Sequence, residues 1–552
     1  MGQEVNHSHF SAVESEEFAK RLKAETTLLN KKIHHGDFSS HAPVGGFEIE
    51  AWLLDKAMRP APLNEQFFAV FDNPLATPEL AKFNIELNNE PLELKDNALE
   101  RFEQDLLAVF HDADKAAKQI NTDIALIGTL PTLQTGDCCV ANMSAMKRYK
   151  ALNEIVLNAR GNRPLTLDIQ GKDHLKISPD SVMMEAATTS FQIHLQTPWK
   201  LAHHYYNASI IASAPLMAIS GNSPHLFGKQ LWQETRIPLF EQSVDTGSGL
   251  QRVSFGTGYA EQSISECFDQ NVRDFPVLLP MLFDDKPEAF SHLRLHNGVI
   301  WRWNRPLIGF DTDGTPHVRI EHRILPAGPS IVDMVANAAF FYGLTQNLCE
   351  ELSENKGQKM PFEQARNNFY NAAKQGLLAE INWNNQHYSG AGLQKLMIED
   401  LLPRAKKGLQ QLEISQDSIA YYLDIIAARC ASGQTGAIWQ INHLKKTQGN
   451  TQQLLEDYLQ YQHRNIPVPS LEPLKCYHLI RSTTFQQHYW TSIAARKSTR
   501  FFTSLPCYSL KVNTKTRCLY PFYYTPTKIL ASWQSRNYSK NTASPNTPCR
   551  AP

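Results

Sequence analysis

The chain has 552 residues, of which 42% are hydrophobic and 20% charged, and its formal net charge is −1. This composition is typical of a soluble globular protein with a large core. The first residues lack the basic start and apolar stretch of a secretion signal, and the most apolar stretch, residues 331–344, is too short to cross a bilayer. The nine cysteines show no Cys-x-x-Cys spacing, which argues against a zinc or redox site. We therefore expect a cytoplasmic protein with no membrane partner.

Charge is distributed unevenly along the chain. All 55 acidic residues lie at or before Glu472, and the last 80 residues contain 12 of the 54 basic ones, so the body has a net charge of −13 and the tail of +12. A basic tail can attract nucleic acid or a membrane. We favour an out-of-frame or degenerate segment without an evolved fold, and we expect no nucleic-acid partner. The predicted organisation is a flexible N-terminus at residues 1–12, one large catalytic unit at 13–465 and a disordered, aberrant basic tail at 466–552.

The predicted elements run from a helix through alternating strands and helices to a helical second half. Helices are predicted over residues 14–33, 98–120 and 202–219, strands over 47–51, 83–88, 191–196 and 318–324, and further helices from about residue 330 to residue 461. The segment 98–120 shows the helical pattern clearly, because its apolar residues recur at spacings of three and four. This order of elements predicts an α+β fold whose sheet is largely antiparallel.

Each of the four predicted strands alternates apolar residues with carboxylate, amide, imidazole or guanidinium side chains. Since successive side chains of a strand point to opposite faces of the sheet, the polar groups of each strand share one face. If the strands pair in one sheet, that face collects Glu48, Glu50, Glu86, His194, Arg319, Glu321 and Arg323. A solvated sheet face is the ordinary explanation of such alternation. None of the four strands contains Thr, Ser or Lys, however, and this favours a binding site.

The residue types on this face suit a particular chemistry. Two glutamates at positions 48 and 50 repel each other unless a cation lies between them, and carboxylates with one imidazole suit magnesium or manganese better than zinc. Arginines beside such ions favour a phosphate ligand, and the combination indicates phosphoryl transfer. The chain has no Gly-x-x-x-x-Gly-Lys-Ser/Thr loop, so a nucleotide must bind in another way. Two alternatives stay open: a glycosidase that uses two of the carboxylates, and a non-catalytic metal- or metabolite-binding protein.

Several segments in the same order resemble glutamate-cysteine ligase family 2, the carboxylate-amine ligases. They are Gly46-Phe-Glu48-Ile-Glu50, Phe83-Asn-Ile-Glu86-Leu-Asn88, Gly221-Asn-Ser-Pro224, residues 232–242, Trp301-Arg-Trp303-Asn-Arg305-Pro and residues 319–329. The resemblance spans residues 13–465 and implies a fold similar to the catalytic domain of glutamine synthetase, a curved antiparallel sheet with helices on its convex side. It also implies ATP and Mg²⁺ as cofactors, with Mn²⁺ as the alternative ion. The implied small-molecule substrates are glutamate and an amine, with cysteine as the first choice.

The resemblance further implies which residues form the site. Glu48, Glu50, Glu86, His194 and Glu321 match the metal ligands, and Arg323 and Arg319 match catalytic residues that face the transferring phosphoryl group. Arg236, Arg148 and Arg302 are expected to bind the nucleotide or a substrate carboxylate, and for Arg236 and Arg148 an ordinary position on a helix surface is the alternative. The implied reaction joins the γ-carboxylate of glutamate to an amine through an acyl phosphate. A ligase with a different amine and a non-catalytic relative remain alternatives, and a homo-oligomer is compatible with the sequence.

Overall fold

The computed structural model describes residues 10–41, 43–247, 249–355 and 359–471. The basic tail lies outside the described residues from residue 472 onward, and so do the first nine residues of the predicted N-terminal segment. The predicted disorder of both segments therefore stays a prediction.

The described strands are short except for two, which have 11 residues each. They are β1 (Val44–Leu54), β2 (Ala76–Pro78), β3 (Asn84–Asn88), β4 (Leu92–Glu93), β5 (Asp123–Ala125), β6 (Leu167–Gln170), β7 (His174–Ile177), β8 (Ser190–Thr197), β9 (His225–Leu226), β10 (Lys229–Gln230), β11 (Asn304–Phe310), β12 (Pro316–Pro326), β13 (Ile381–Trp383) and β14 (Gln386–Tyr388).

Helices surround these strands and dominate the second half of the described chain. They are α1 (Ala12–His35), α2 (Asn64–Val70), α3 (Ala98–Gln119), α4 (Lys147–Ala159), α5 (Ala202–Ser220), α6 (Arg236–Ser243), α7 (Ser265–Asp274), α8 (Ser291–Gly298), α9 (Ile331–Ser353), α10 (Phe362–Gln375), α11 (Ala391–Leu396), α12 (Leu402–Gln411), α13 (Gln416–Ser432), α14 (Gly436–Lys446) and α15 (Thr451–His463). Of the helices in the described ranges, none combines the length and the apolar character that crossing a bilayer requires.

One eight-stranded sheet organises the molecule. Its central order is β11-β12-β8-β1-β3-β2, with β4 and β5 also paired to β1, and every pairing is antiparallel. The four strands predicted from the alternating segments are therefore neighbours in one sheet, in the order β12, β8, β1 and β3. The predicted α+β class with a largely antiparallel sheet is confirmed.

One face of this sheet is buried under helices. Phe47, Ile193 and Ile320 are each at most 2% exposed and belong to the main apolar core. Helix α5 packs on β12, α9 packs on β8, and α3 packs on β3. Because strand side chains alternate, covering this face with apolar contacts leaves the polar side chains of the same strands on the opposite face. The helices thus determine which face of the sheet is left for the site.

The helix ends follow from local sequence. Ser11 caps α1 by accepting a hydrogen bond from the Glu14 N–H, while the Glu14 carboxylate accepts the Ser11 N–H in return. Gly36 ends the same helix in the left-handed conformation, with a φ of 80°, which glycine adopts without steric cost. The three helices predicted in the first half of the chain correspond to α1, α3 and α5.

The folded part continues past residue 465, the end predicted for the catalytic unit. The Val468 N–H donates to the Asp333 carboxylate at 3.0 Å, and this buried carboxylate also accepts a hydrogen bond from Arg429. The Gln434 side-chain amide donates to the carbonyl oxygens of Val468 and Leu471 at 2.8 and 3.0 Å. Residues 466–471 are therefore anchored to the helical half of the molecule.

Candidate functional site

A cavity of about 280 Å³ lies on the polar face of the sheet. Strands β1, β3, β11 and β12 contribute most of its charged side chains, β8 contributes Gln192, and helices α4, α6, α7 and α8 contribute to its sides. Part of the lining is apolar and includes Phe240, Leu295, Trp301 and Ile308. The cavity therefore combines a charged floor with an apolar side.

Three side chains from three adjacent strands meet at the centre of the sheet. Glu321 of β12 lies directly opposite His194 of β8, and Glu48 of β1 is diagonal to it. His194 Nε2 lies 3.1 Å from Glu48 Oε1, and ligand atoms of Glu48, His194 and Glu321 all lie within 4.8 Å of one another. In the described part of the chain, this is the one cluster of metal-ligand side chains that meets that spacing.

The strands β11 and β12 form a wall rich in guanidinium groups, which we call the arginine wall and define as Arg305, Arg319, Glu321 and Arg323. Arg305 binds Glu321 through two hydrogen bonds of 2.9 Å, and Arg323 donates to the same carboxylate at 3.3 Å. Arg319 Nε donates to His194 Nδ1 at 3.3 Å. Burial raises the pKa of Glu321, but Arg305 and Arg323 outweigh burial and hold this pKa at about 2.

Four carboxylates line the opposite side, which we call the acidic wall and define as Glu50, Glu79, Glu86 and Glu185. Burial and nearby carboxylates raise the pKa values of three of them: Glu86 through Glu48, Glu79 through Glu86, and Glu185 through Glu50, which brings the pKa of Glu185 to about 8. Arg148 is the described lining arginine on this side, and it contacts Tyr149 through a hydrogen bond of 2.6 Å. The acidic wall has more negative charge than its own arginine can balance.

The protein fixes the orientation of the carboxylates on β1 and β3. Glu50 accepts hydrogen bonds from the Ser190 N–H at 2.7 Å, the Ser190 hydroxyl at 2.8 Å and the Gln192 amide at 3.2 Å. Glu86 accepts one from the Asn88 amide at 2.9 Å. Such hydrogen bonds hold each carboxylate in place while leaving lone pairs for a further ligand.

The donor set fits a hard divalent cation. Carboxylate oxygens with one imidazole are the ligands of magnesium or manganese. Burial raises the pKa of Glu48, but the neighbouring His194 outweighs it, so this pKa lies well below its ordinary value. With Glu48 and Glu321 both ionised at neutral pH, the central cluster has the charge that a cation requires.

The structure brings most of the residues predicted for the site together. The residues that line the cavity include Glu48, Glu50, Glu86, Glu321, Arg148, Arg319 and Arg323. The His194 ring lies 3.1 Å from the Glu48 carboxylate. The assigned roles of these residues, as metal ligands, catalytic groups or nucleotide-binding groups, remain predictions that the geometry permits.

Two of the predicted nucleotide-binding arginines are not among the cavity-lining residues that the structure describes. Arg236 is 2% exposed, pairs with Glu234 at 3.1 Å and donates to the main-chain oxygen of Arg323 at 3.3 Å. Arg302 is also 2% exposed and donates to the side chains of Gln270 and Asn271 at 2.9 and 2.8 Å. Because both guanidinium groups direct their donors at protein acceptors, the geometry gives them a structural role.

Four charged residues of the cavity were missed by the sequence prediction: Arg294 of α8, Arg305, Glu79 and Glu185. Arg305 lies in a segment that carries the family resemblance, and its position opposite Glu321 becomes visible only with the β11–β12 register. Glu79 precedes β3 in a segment without strand alternation. Glu185 stands alone in the apolar segment Val182–Ala187, and an isolated carboxylate among apolar residues is the signal that could have found it.

Comparison with known proteins finds a family whose model matches this chain. The model of glutamate-cysteine ligase family 2 matches residues 44–457, which is most of the chain. No curated protein matches significantly. The similar solved structures include glutamate–cysteine ligase from Francisella tularensis in complex with AMP, at 12% identity and a TM-score of 0.48, covering 85% of this chain and 97% of that one. They also include a bifunctional glutathione synthetase from Pasteurella multocida, at 11% identity and a TM-score of 0.48, covering 80% of this chain and 55% of that one.

Proposed function

This chain belongs to glutamate-cysteine ligase family 2, which makes it an ATP-dependent carboxylate-amine ligase, and we propose that it joins the γ-carboxylate of glutamate to the amine of cysteine. The observation that carries the proposal is the convergence of Glu48, Glu50, Glu86 and Glu321 with two arginines in a single cavity. These residues come from segments far apart in the sequence, and the sheet brings them together.

The arginine wall supports phosphoryl transfer. Arg323 and Arg319 line the cavity. Arg323 donates a hydrogen bond to Glu321, and Arg319 donates one to His194, so both guanidinium groups are fixed in position. As the γ-phosphoryl group passes to the glutamate carboxylate, negative charge spreads over its oxygens, and guanidinium groups fixed nearby stabilise that charge without reorganising. Arg305, which donates two hydrogen bonds to Glu321 and a further one to the Gly298 carbonyl oxygen, keeps this carboxylate oriented.

Glu48, His194 and Glu321, together with Glu50 and Glu86 of the acidic wall, would hold Mg²⁺, which would supply charge that neutralises the phosphates and the incoming carboxylate. The acyl phosphate that results must be protected from water until the amine attacks it. The apolar side of the cavity, with Phe240, Leu295 and Trp301, provides this protection. The cavity can thus hold opposite charges close together and exclude water, both of which acyl-phosphate chemistry needs.

A product assay tests the proposal. The full chain and a version that ends at Leu471 are incubated with ATP, Mg²⁺, glutamate and L-cysteine, and the products are identified by mass spectrometry. We expect γ-glutamylcysteine, ADP and phosphate from both proteins. Formation of a different γ-glutamyl amide from a panel of amines would replace cysteine as the acceptor. Magnesium-bound, folded protein that releases no phosphate with any amine would contradict the ligase and favour the non-catalytic binding protein, and glycan cleavage without metal would favour the glycosidase.

A further inference from the structure

One carboxylate of the acidic wall reaches the cavity from outside the sheet. The short 3-10 helix Val182–Ala187 has five buried residues, and Glu185 is its one partly exposed residue. Thr188 closes the helix, since its N–H and its hydroxyl both donate to the Glu185 carbonyl oxygen, at 3.0 and 2.8 Å. The flanking Met183 and Met184 are at most 5% exposed. The packing of this helix therefore determines where the Glu185 side chain lies.

The Glu185 carboxylate is poorly compensated. Within the described ranges it makes no side-chain hydrogen bond and no ion pair, unlike Glu50 and Glu321. Its electrostatic neighbours are Glu50, which repels it, and Arg323 and Arg236, whose guanidinium groups donate to Glu321 and Glu234. Burial and the charge of Glu50 raise the pKa of Glu185 to about 8. A carboxylate in such a place is stabilised when a cation arrives.

Three kinds of cation enter the cavity of a carboxylate-amine ligase: the metal ions, the ammonium group of glutamate and the ammonium form of the acceptor amine. Glu185 is not part of the central cluster of Glu48, His194 and Glu321. The central cluster and the remaining carboxylates of the acidic wall, which lie on or next to β1 and β3, are the ligands proposed for the metal ions. The ammonium groups are the cations for which the sheet itself provides no dedicated carboxylate.

We propose that Glu185 binds the ammonium group of the acceptor amine, an inference that rests on the ligase activity proposed above. The acceptor nitrogen must lie roughly 3 Å from the acyl carbon that it attacks. That carbon is bonded to the transferred phosphoryl oxygen, so it lies close to Arg323. Glu185 lines the same cavity as Glu50 and Arg323, and this places its carboxylate on the side of the cavity that the attacking nitrogen must occupy. The ammonium group of glutamate is farther away, because two methylene groups and the α-carbon separate it from the reacting carboxylate.

Steady-state kinetics of Glu185→Gln test this role, with L-cysteine as the acceptor and saturating ATP, Mg²⁺ and glutamate. Loss of a charge-assisted hydrogen bond to the ammonium group is expected to raise the KM for cysteine roughly tenfold to a hundredfold. The KM values for glutamate and ATP should stay unchanged. Glu185→Asp keeps the charge on a side chain one methylene shorter, and its KM for cysteine should rise less than that of Glu185→Gln.

Glu103→Gln is the matched control. Glu103 on α3 is another buried carboxyl group whose burial raises its pKa, but it accepts hydrogen bonds from Tyr422 and Asn465 and is not among the described lining residues of the cavity. Its substitution should leave all three KM values unchanged. A control that alters them as Glu185→Gln does would attribute the effect to general loss of packing and overturn the proposal.

The half-reaction separates this inference from the proposed function. Wild-type protein that shows no glutamate-dependent phosphate release from ATP, with or without cysteine, would contradict the ligase and this inference together. Wild-type protein that releases phosphate, with an unchanged KM for cysteine in Glu185→Gln, would overturn the role of Glu185 alone. Weaker Mn²⁺ binding in Glu185→Gln, measured by electron paramagnetic resonance, would make Glu185 a metal ligand instead.

A measurement on the unchanged protein covers the case in which Glu185→Gln fails to fold. The deaminated analogue of cysteine, 3-mercaptopropionate, keeps the thiol and the carboxylate but lacks the ammonium group. We expect 3-mercaptopropionate to compete with cysteine, with an inhibition constant that exceeds the KM for cysteine by roughly tenfold or more. Equal affinity for the two compounds would show that the ammonium group is not bound and would overturn the proposal.

Discussion

The arginine wall and the acidic wall line one cavity but have opposite charge. On the arginine wall the guanidinium groups of Arg305 and Arg323 flank Glu321 and hold its pKa at about 2. On the acidic wall, burial and like charges raise the pKa of Glu185 to about 8. Carboxyl groups in one cavity thus differ in pKa because of the residues next to them. The comparison supports the proposal that phosphates bind at the arginines and cations at the acids.

The sheet register explains this separation. Strand β12 alternates Arg319, Glu321 and Arg323 on one face, and β11 places Arg305 directly opposite Glu321. Strand β1 instead faces β3 with Glu50 opposite Glu86, a like-charged pair. Like charges opposite each other destabilise a sheet, so a cation bound between them should stabilise the folded protein.

The largest expected effect comes from Glu48, which lies between the two walls and shares the central cluster with His194 and Glu321. Glu48→Gln removes a charge that a divalent ion requires, and metal ions supply several kcal/mol of transition-state stabilisation. We expect ligase activity to fall by about a thousandfold, which corresponds to about 4 kcal/mol. The stabilisation of the fold by Mg²⁺, measured as a shift in Tm, should be lost with it.

Asp168→Asn provides the control for this substitution, because Asp168 is an exposed carboxylate on β6 that pairs with His174 and Lys176. It should keep both ligase activity and the Tm shift with Mg²⁺. If the Glu48→Gln protein binds Mn²⁺ and ATP as tightly as wild type, Glu48 does not belong to the site. The contrast drawn between the two walls would then be contradicted.

The second effect concerns the arginine wall. Arg305→Met leaves Glu321 in a buried place with one of its two arginine partners removed. Removing one partner of a buried ion pair typically costs 3–5 kcal/mol, so we expect the free energy of unfolding to fall by about 4 kcal/mol. Urea denaturation at neutral pH measures this change.

The double variant Arg305→Met/Glu321→Met sharpens this prediction. It replaces both partners with apolar side chains of similar length, so the unpaired Glu321 carboxylate is removed, but Arg323 loses its carboxylate acceptor. The stability lost in Arg305→Met should therefore be recovered in part, although activity is not. If the double variant is as unstable as the single one, the charge of Glu321 does not account for the contribution of Arg305.

The sequence was sufficient to predict one wall in outline and the other only in part. Alternation along Phe47-Glu48-Ile-Glu50-Ala51 assigns Glu48 and Glu50 to one face, because a strand's side chains alternate whatever its partners are. The same argument applies to Arg319, Glu321 and Arg323 of β12. The α+β class followed from the order of the elements.

Residues outside the strands could not be predicted in this way. Glu185 reaches the cavity from a 3-10 helix, and its position depends on tertiary packing that no local period encodes. Arg236 and Arg302 show the converse case, because a family resemblance identifies a charged residue but not the direction of its side chain, and their role at a nucleotide stays a prediction. Both turned out to bind protein acceptors.

A third prediction concerns Arg302, which precedes β11 and donates hydrogen bonds to two residues of α7. Arg302→Met leaves the side-chain oxygens of Gln270 and Asn271 without this donor, and hydrogen bonds to charged groups contribute roughly 1.5–3 kcal/mol each. We expect a loss of about 3 kcal/mol in the free energy of unfolding and an unchanged KM for ATP. An increase in the KM for ATP without loss of stability would place Arg302 in the nucleotide site, as first predicted from the sequence.

The smallest effect is a pH dependence that arises outside both walls. Burial raises the pKa of Glu241 to about 7, although the Trp303 indole and the Tyr370 hydroxyl donate hydrogen bonds to its carboxylate. Since the folded pKa exceeds the unfolded value, the folded protein binds the proton more tightly, and the stability gained at low pH is lost as pH rises through about 7.

Comparison with Glu241→Gln isolates this group from the others that titrate. The stability of wild type relative to the variant should fall by about 2 kcal/mol between pH 5 and pH 7, and change little above pH 8. Urea denaturation of both proteins across this range measures the difference. A difference that stays constant would mean that Glu241 is ionised in the folded protein at pH 5. Burial without a nearby carboxylate would then be too weak to raise a pKa here, and the raised pKa values on the acidic wall would have to be attributed to the repulsion between its carboxylates.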